Sequence, residues 1–264
     1  MAEKNRLSWS GDLIFFQGII LFLLVSLIIT GCTKSPESPV IPTKPKVAEI
    51  WLHRCNSIQK ATEARYKYPG IELDVHFNEW DNEFFVKHDF ETPDTLLFSK
   101  YLVNIPEYSN YQYWLDFKNL STSNQYAALL RFKHITDSLG IERSRFIVEG
   151  NAISLSGFKA SGYYTSYYIP YFIPELLTPE KEMEMALQIR ERITNWPTDA
   201  ISGYYEQLRF MQSYFPEQKK LTWYLQSSVP TNILDTVVQF VKADTNIRVL
   251  LLPAEGTNKV AFQK

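Results

Sequence analysis

Two short runs hold the polar residues best placed for chemistry: Trp51-Leu52-His53-Arg54-Cys55-Asn56 and Glu72-Leu73-Asp74-Val75-His76. A third, Trp114-Leu115-Asp116-Phe117-Lys118, is also an apolar stretch with a charge at every second position near its end. Strand side chains alternate faces, so residues two apart share one. Glu72, Asp74 and His76 therefore point the same way, as do Asp116 and Lys118. Acids on a buried face are costly unless paired or bound to a metal. Three converging carboxylates, Glu72, Asp74 and Asp116, repel one another unless a cation sits between them. An all-oxygen set without thiols suits Mg2+ or Ca2+ better than zinc. Arg54 and Lys118 are suited to a phosphate group. Two histidines can share proton transfer, one as general base and one as general acid.

These residues need elements that bring them to one place. The predicted strands are Ala48–Arg54, Ile71–Phe77, Tyr113–Lys118, Arg145–Glu149, Tyr163–Ile169, Ala200–Tyr204, Leu221–Gln226 and Arg248–Leu252. Phe84–His88, after the turn pair Asp81-Asn82, reads as the return arm of a hairpin extending the second strand. The predicted helices are Ser57–Lys67, Ser123–Leu139, Pro179–Asn195, Glu206–Tyr214 and Thr231–Lys242. Ser123 is a candidate cap and Gly140 a stop for the second of these. Thr178-Pro179-Glu180 opens the third with a cap, a proline and an acid.

Strand–helix alternation implies a parallel sheet with crossover helices. Eight predicted strands favour a closed (β/α)8 TIM barrel over an open doubly wound sheet, since closure leaves no edge to protect. The last helix is expected to be absent or tiny. In such a barrel, site residues gather where strands end C-terminally. His53, Arg54, Glu72, Asp74, His88, Asp116, Lys118 and Glu149 all fall on that rim.

The chain has 264 residues, 45% of them hydrophobic, enough for one sizeable core. A net charge of -2 with no basic block speaks against a nucleic-acid partner. Lys4 and Arg6 precede an apolar run from Leu13 to Ile29 that ends in Ile29-Thr30-Gly31-Cys32. The ending resembles the bacterial lipobox, which implies a signal peptide over 1–31 and a lipid on Cys32. Four prolines then mark 32–47 as an extended tether before a domain at 48–264. The resemblance implies a membrane-anchored lipoprotein of the cell envelope on the exported side. Thr33 after the cysteine favours the outer membrane.

The order His-Arg, Glu-x-Asp, His-Asp, Asp-x-Lys resembles the phospholipase-C-like phosphodiesterase superfamily. That group includes glycerophosphodiester phosphodiesterases, sphingomyelinase D-type enzymes and menorins. The resemblance covers residues 50–118. It implies a (β/α)8 barrel in which Glu72, Asp74 and Asp116 hold Mg2+ or Ca2+. It makes His53 and His88 the acid/base pair, and Lys118 and Asn56 matching family positions. The substrate it implies is a glycerophosphodiester or a phospholipid headgroup. Two departures stand out: Cys55 replaces the glycine of His-Arg-Gly, and the third acid is Asp rather than Glu. The Cys55 departure leaves open a binding module of the same fold that has lost turnover. A barrel glycosidase, with two acids flanking a sugar bond, is a further alternative.

Bland readings apply elsewhere. His134 is expected on a solvated helix face, and His76 beside the site rather than in it. Cys55 is expected as a packed side chain, and Asp89 as an orienting partner for His88 or a turn cap. Glu149 is a candidate substrate contact, and Trp223, Tyr167 and Tyr205 are candidates to line the mouth.

Overall fold

The computed structural model describes residues 47–89, 91, 93–225 and 231–253. Its strands are β1 (Glu49–Leu52), β2 (Gly70–Asn78), β3 (Glu83–Val86), β4 (Gln112–Phe117), β5 (Phe146–Gly150), β6 (Tyr164–Tyr168), β7 (Ala200–Tyr204), β8 (Lys219–Trp223) and β9 (Ile247–Leu252). The helices are α1 (Ile58–Ala64), α2 (Phe98–Val103), α3 (Gln125–Ser138), α4 (Ala152–Ala160), α5 (Pro179–Asn195), α6 (Leu208–Tyr214) and α7 (Thr231–Ala243). All strands but β3 pair in parallel, and the pairing of β1 with both β9 and β2 closes the ring. The result is the expected eight-stranded (β/α)8 barrel.

Parallel strands buried on both faces separate two kinds of core. Inside the barrel, Trp51, Trp114, Leu221, Trp223, Val249 and Leu251 pack with Ile147 and Ala200. Outside it, alternate residues such as Leu73, Leu115 and Val148, or Ile201 and Leu250, pack in two clusters with the helical residues. Trp51 sets a constraint on its neighbour. A Cβ added at Gly70 would lie 2.5 Å from two atoms of the Trp51 ring, which is fully buried. Only glycine lets the indole fill the barrel at that level.

The hairpin is the departure from a plain barrel. β1 pairs with β2 at Leu52↔Ile71, and further along β2 the edge is taken by β3, in register from Val75↔Val86 to Asn78↔Glu83. The turn between them places Asn82 at φ 51°, in the left-handed region that Asn tolerates. This arm carries His88 back over the mouth.

Local signals succeed at α5, where the Thr178 side chain accepts from Lys181 N at 3.4 Å, and at Gly140, whose φ of 64° ends α3. The Ser123 cap is corrected. The N-cap of α3 is Asn124, whose side chain accepts from Ser121 N and donates to Asn119 O, both at 2.9 Å. Ser123 pairs with the Ser121 hydroxyl instead. Two helices were not anticipated. α2 has only six residues. α4 carries Ser154, Ser156 and Gly157, which lower helix propensity. It forms because Asn151 caps it and because Gly157 sits against Leu129 of α3, where a Cβ would be 3.0 Å away. The expectations for 1–31, Cys32, the tether to residue 46 and the chain after Pro253 lie outside the described residues. Among the described residues no helix is long and apolar enough to cross a membrane.

Gly70→Ala is expected to destabilise the domain by about 1–3 kcal/mol, the usual cost of overpacking. Urea denaturation measures it; an unchanged midpoint would show that the indole is free to move.

Candidate active site

The site starts from strand register. Asp74 of β2 lies beside Asp116 of β4, and Asp116 beside Glu149 of β5. Glu72 sits two residues before Asp74, on the same inward face. One oxygen from each of Glu72, Asp74 and Asp116 lies within 4.8 Å of the other two. Glu72, Asp74 and Glu149 are buried, and Asp116 is partly exposed. The residues predicted to converge do converge. His53, Arg54, Asp74, His88, Asp116, Lys118 and Glu149 line one cavity of about 110 Å³ at the C-terminal mouth. Glu72 lies buried next to it, 3.6 Å from His53 Nε2.

Four neighbours hold the acids in place. Arg54 N donates to Glu72 Oε2 at 2.6 Å. Asn56 donates to Asp74 Oδ2 at 2.5 Å and accepts from Asp74 N at 2.9 Å. Its role here is to fix the carboxylate it faces. Lys118 Nζ lies 2.7 Å from Asp74 Oδ1 and also pairs with Asp116. Trp114 Nε1 donates to Glu149 Oε2 at 3.1 Å.

The turn after β1 is strained. Arg54 has φ 53°, unusual for a residue with a Cβ. Lys60 Nζ donates to His53 O at 2.9 Å and to Arg54 O at 2.7 Å, clamping that turn. Cys55, where the family pattern has glycine, is not among the positive-φ residues. Its side chain is buried, and its N–H bonds to Glu72 O at 2.8 Å. The turn therefore does not need glycine at this position. Burial pushes the Cys55 thiol up to about 12, so it is an inert packed residue.

His88 stands at the open side of the cleft. Asp89 Oδ1 lies 2.5 Å from His88 Nδ1, and Arg54 Nη2 lies 3.2 Å from Nε2. An N–H on Nδ1 donating to the carboxylate leaves Nε2 as acceptor for the guanidinium. Asp89 thus orients His88. His76 borders the site by its contact with His88 O at 3.3 Å. His134 is exposed, as expected.

The electrostatics follow from burial and crowding. Burial, then Asp74 and Asp116, push Glu72 well above the ordinary carboxylate range. Burial raises Asp116 as well, with Asp74 adding and Lys118 opposing. Glu149 is pushed up to about 8, by burial first and by Asp116 second. Burial and then Arg54 hold His53 down at about 3, so its imidazole is neutral at pH 7. Lys118 is raised despite its burial, because Asp116 and Asp74 favour its charge.

The opposite wall of the cleft is aromatic. Trp223 lines it as expected, with Tyr168 and Tyr204 beside it; Tyr167 lines a neighbouring cavity that also borders Asp116 and Lys118, and Tyr205 lines neither. The period-two phase carries the signal. Ser166 and Ser202 are inward, so the tyrosines two residues on are inward too, and a slip of one flips the face. Trp114 and Lys60 are further contributors that charge spacing did not reveal.

No family model matches the chain. No curated protein matches it either. Solved structures do. A glycerophosphodiester phosphodiesterase from Parabacteroides distasonis aligns at 13% identity with a TM-score of 0.56, covering 79% of this chain and 94% of that one. One from Thermotoga maritima aligns at 13% identity and a TM-score of 0.53, covering 78% and 95%. A phosphodiesterase from Oleispira antarctica, solved with its product sn-glycerol-3-phosphate, aligns at 10% and 0.53, covering 78% and 93%. At these identities the likeness establishes the shared barrel fold.

The pKa shifts set a pH dependence for the metal-free protein. Glu149 has a folded value of about 8 against an ordinary 4.5, so the native state holds a proton that the unfolded state has lost. That stability is complete below the ordinary value and disappears as pH rises through about 8. His53 acts oppositely: its contribution is present above 6.5 and lost as pH falls toward about 3. Between pH 6.5 and 8 the carboxyl side dominates. In EDTA, stability is expected to fall across that window by up to about 1.4 kcal/mol per pH unit for Glu149 alone. Urea melts of wild type and Glu149→Gln check this; an equal slope in both would show Glu149 to be ionised throughout.

Proposed function

We propose that this domain is a divalent-cation-dependent phosphodiesterase of the phospholipase-C-like type, acting on a glycerophosphodiester or phospholipid headgroup. The observation that carries the reading is the meeting of Glu72, Asp74 and Asp116 oxygens within 4.8 Å. Carboxylates that close are stable together when a hard cation shares them, and the donors are all oxygen. Glu72, Asp74 and Asp116 would hold Mg2+ or Ca2+. Bound there, the ion supplies Lewis-acid polarisation of a phosphoryl oxygen.

The chain's own residues supply the rest. Lys118 and Arg54 bring fixed positive charge to the edge of the cleft, where charge builds on phosphate in the transition state. His53, kept neutral by burial, takes the proton of the attacking hydroxyl as its oxygen bonds to phosphorus. His88, its Nδ1–H held by Asp89, would take up a proton from solvent at Nε2, releasing the Arg54 contact, and pass it to the departing alkoxide as the other P–O bond breaks. Asn56 and the Arg54 N–H restrict Asp74 and Glu72 to one arrangement, so little reorganisation remains to be done.

We also propose that lipid on Cys32 anchors the domain to the envelope membrane on the exported side, with the outer membrane favoured. The lipobox-like ending Ile29-Thr30-Gly31-Cys32 supports this.

Purified protein is expected to cleave at least one member of a phosphodiester panel. EDTA abolishes turnover and Mg2+ or Ca2+ restores it. His53→Ala or His88→Ala lowers kcat by about 10²–10⁴-fold. Full activity in His53→Ala would refute the assignment of that residue. Phosphodiester cleavage indifferent to EDTA would refute the metal dependence, and binding without turnover would favour an inactive module.

Expressed in a bacterial cell, wild type is expected in the membrane fraction and Cys32→Ser in the soluble one. Equal partition of the two would remove the anchor.

A further inference from the structure

The two ends of the barrel differ in charge. Apart from β3 the strands run parallel, so all of them begin at one end, the base, while the acid-lined cleft lies at the other. The chain enters β1 at Glu49, and so at the base. Residues 33–47 separate that entry from Cys32. Fully extended, a proline-rich stretch of that length spans roughly 45 Å, enough for either end of the barrel to reach a membrane that holds Cys32. The stretch alone therefore does not choose which end does.

Charge makes the choice. At the base, two cavities of about 440 Å³ and 350 Å³ share Tyr164 and Arg248. The Arg248 guanidinium lies 3.9 Å from the centre of the Tyr164 ring. Lys219, exposed at the start of β8, donates to Thr245 O at 3.2 Å and to Asn246 Oδ1 at 2.9 Å, both neutral. Among the described residues neither cation is in an ion pair. The acids of the base are engaged elsewhere. Asp199 pairs with Lys159 and accepts from Thr165 N and Oγ1. Glu217 pairs with Arg190, and Asp244 offsets the buried Lys220. Glu49 accepts from Trp51 Nε1 and Gln112 Nε2. Lys219 and Arg248 are left as the uncompensated charge. The mouth end is the reverse: the β2–β3 arm and the loop after it expose Glu79, Asp81, Asp89 and Glu91, against the one exposed cation beside them, Arg54.

We propose that the base of the barrel docks on an anionic lipid bilayer through Lys219 and Arg248, which turns the mouth away from the membrane and toward solvent. Phosphate headgroups give the two cations the anionic acceptors that no carboxylate of the described residues supplies. Each basic residue held near an anionic surface raises partition by about fivefold. A polar contact of this kind adds to a lipid on Cys32, since one acyl chain alone binds a membrane reversibly. The same surface repels the acidic arm, so attraction at one end and repulsion at the other select one orientation. Docking fixes where the mouth points, whatever ester is cleaved there.

The full chain is inserted into preformed vesicles of phosphatidylcholine, alone or mixed with phosphatidylglycerol, so that the barrel lies outside. A thiol-reactive dye is attached at Thr245→Cys on the base or, in a second sample, at Glu79→Cys on the arm; both positions are exposed, and Cys55 is buried. Quenching by acrylamide, which is uncharged, reads the access of water to each dye. In the mixed vesicles the dye at position 245 is expected to be quenched several-fold less than in phosphatidylcholine, while the dye at position 79 is quenched equally in both. High salt restores quenching at position 245. Lys219→Glu, at an exposed position that leaves the core untouched, does the same, as does Arg248→Gln. Equal quenching at position 245 in the two membranes overturns the docking. Protection of the dye at position 79 also overturns it, since the mouth would then face the bilayer. So does protection at position 245 that neither salt nor the two variants relieve. Protein that stays with neither kind of vesicle removes the Cys32 anchor and the docking together, and its cleavage of a soluble phosphodiester would leave the catalytic reading standing.

Discussion

The mutual repulsion of carboxylates inside a closed barrel is the constraint on which the rest of this structure depends. Glu72, Asp74 and Asp116 bring oxygens within 4.8 Å of one another, and Glu149 stands beside Asp116 in register. Glu72, Asp74 and Glu149 are shielded from bulk water, so their charge is felt more strongly than at a surface. Backbone and side-chain donors offset part of the cost: Arg54 N at Glu72, Asn56 at Asp74, Trp114 at Glu149. Lys118 reaches both Asp74 and Asp116. One ammonium cannot neutralise four acids, and Glu72, Asp116 and Glu149 are all pushed above the ordinary carboxylate range, by burial first and by their acidic neighbours after it. A hard divalent cation would offset that crowding, so a costly feature of the fold and its proposed chemistry coincide.

The elements around the acids follow from this need. β2 runs past its neighbour β1 and turns back as β3, which delivers His88 to the same cleft that His53 lines. The β1 turn is clamped by Lys60 and tolerates φ 53° at Arg54, which aims the Arg54 N–H at Glu72 while the guanidinium reaches His88. Strain at one residue thus ties both histidines to the acid cluster. At the other end of the barrel, Gly70 yields its side-chain space to Trp51, so that a large apolar residue seals the interior beneath the charges.

Much of this was legible in the amino-acid order because strand alternation and strand ends are local properties. Charges two residues apart at Glu72 and Asp74, and at Asp116 and Lys118, locate one face and one rim without knowledge of the pairing. The eight strands were found where they lie, to within a few residues. The failures occurred where tertiary contacts override local signals. α4 forms despite Ser154, Ser156 and Gly157 because Gly157 must lie close to Leu129. Ser123 loses the cap to Asn124 because Asn119 and Ser121 occupy both ends of the Asn124 amide. Tyr168 and Tyr204 were missed for Tyr167 and Tyr205 because consecutive tyrosines hide the phase of the strand. The contributions of Lys60 and Trp114 needed three-dimensional distances, since neither stands at a revealing spacing.

The division of the mouth into halves explains why the acids can be functional rather than merely costly. β2, β4 and β5 supply the carboxylates, while β6, β7 and β8 supply Tyr168, Tyr204 and Trp223. The rings pack against one another, Tyr204 with Trp223 at 4.9 Å and Tyr168 with Trp223 at 5.2 Å between centroids, so this wall is stiff. A stiff apolar wall facing a polar one lowers the local dielectric without offering a competing ion pair. Had the second half carried Arg or Lys, the acids would have been neutralised permanently and the cleft would hold a structural salt-bridge layer. The aromatic half leaves the acid cluster short of positive charge, and that shortage is what the proposed cation would answer.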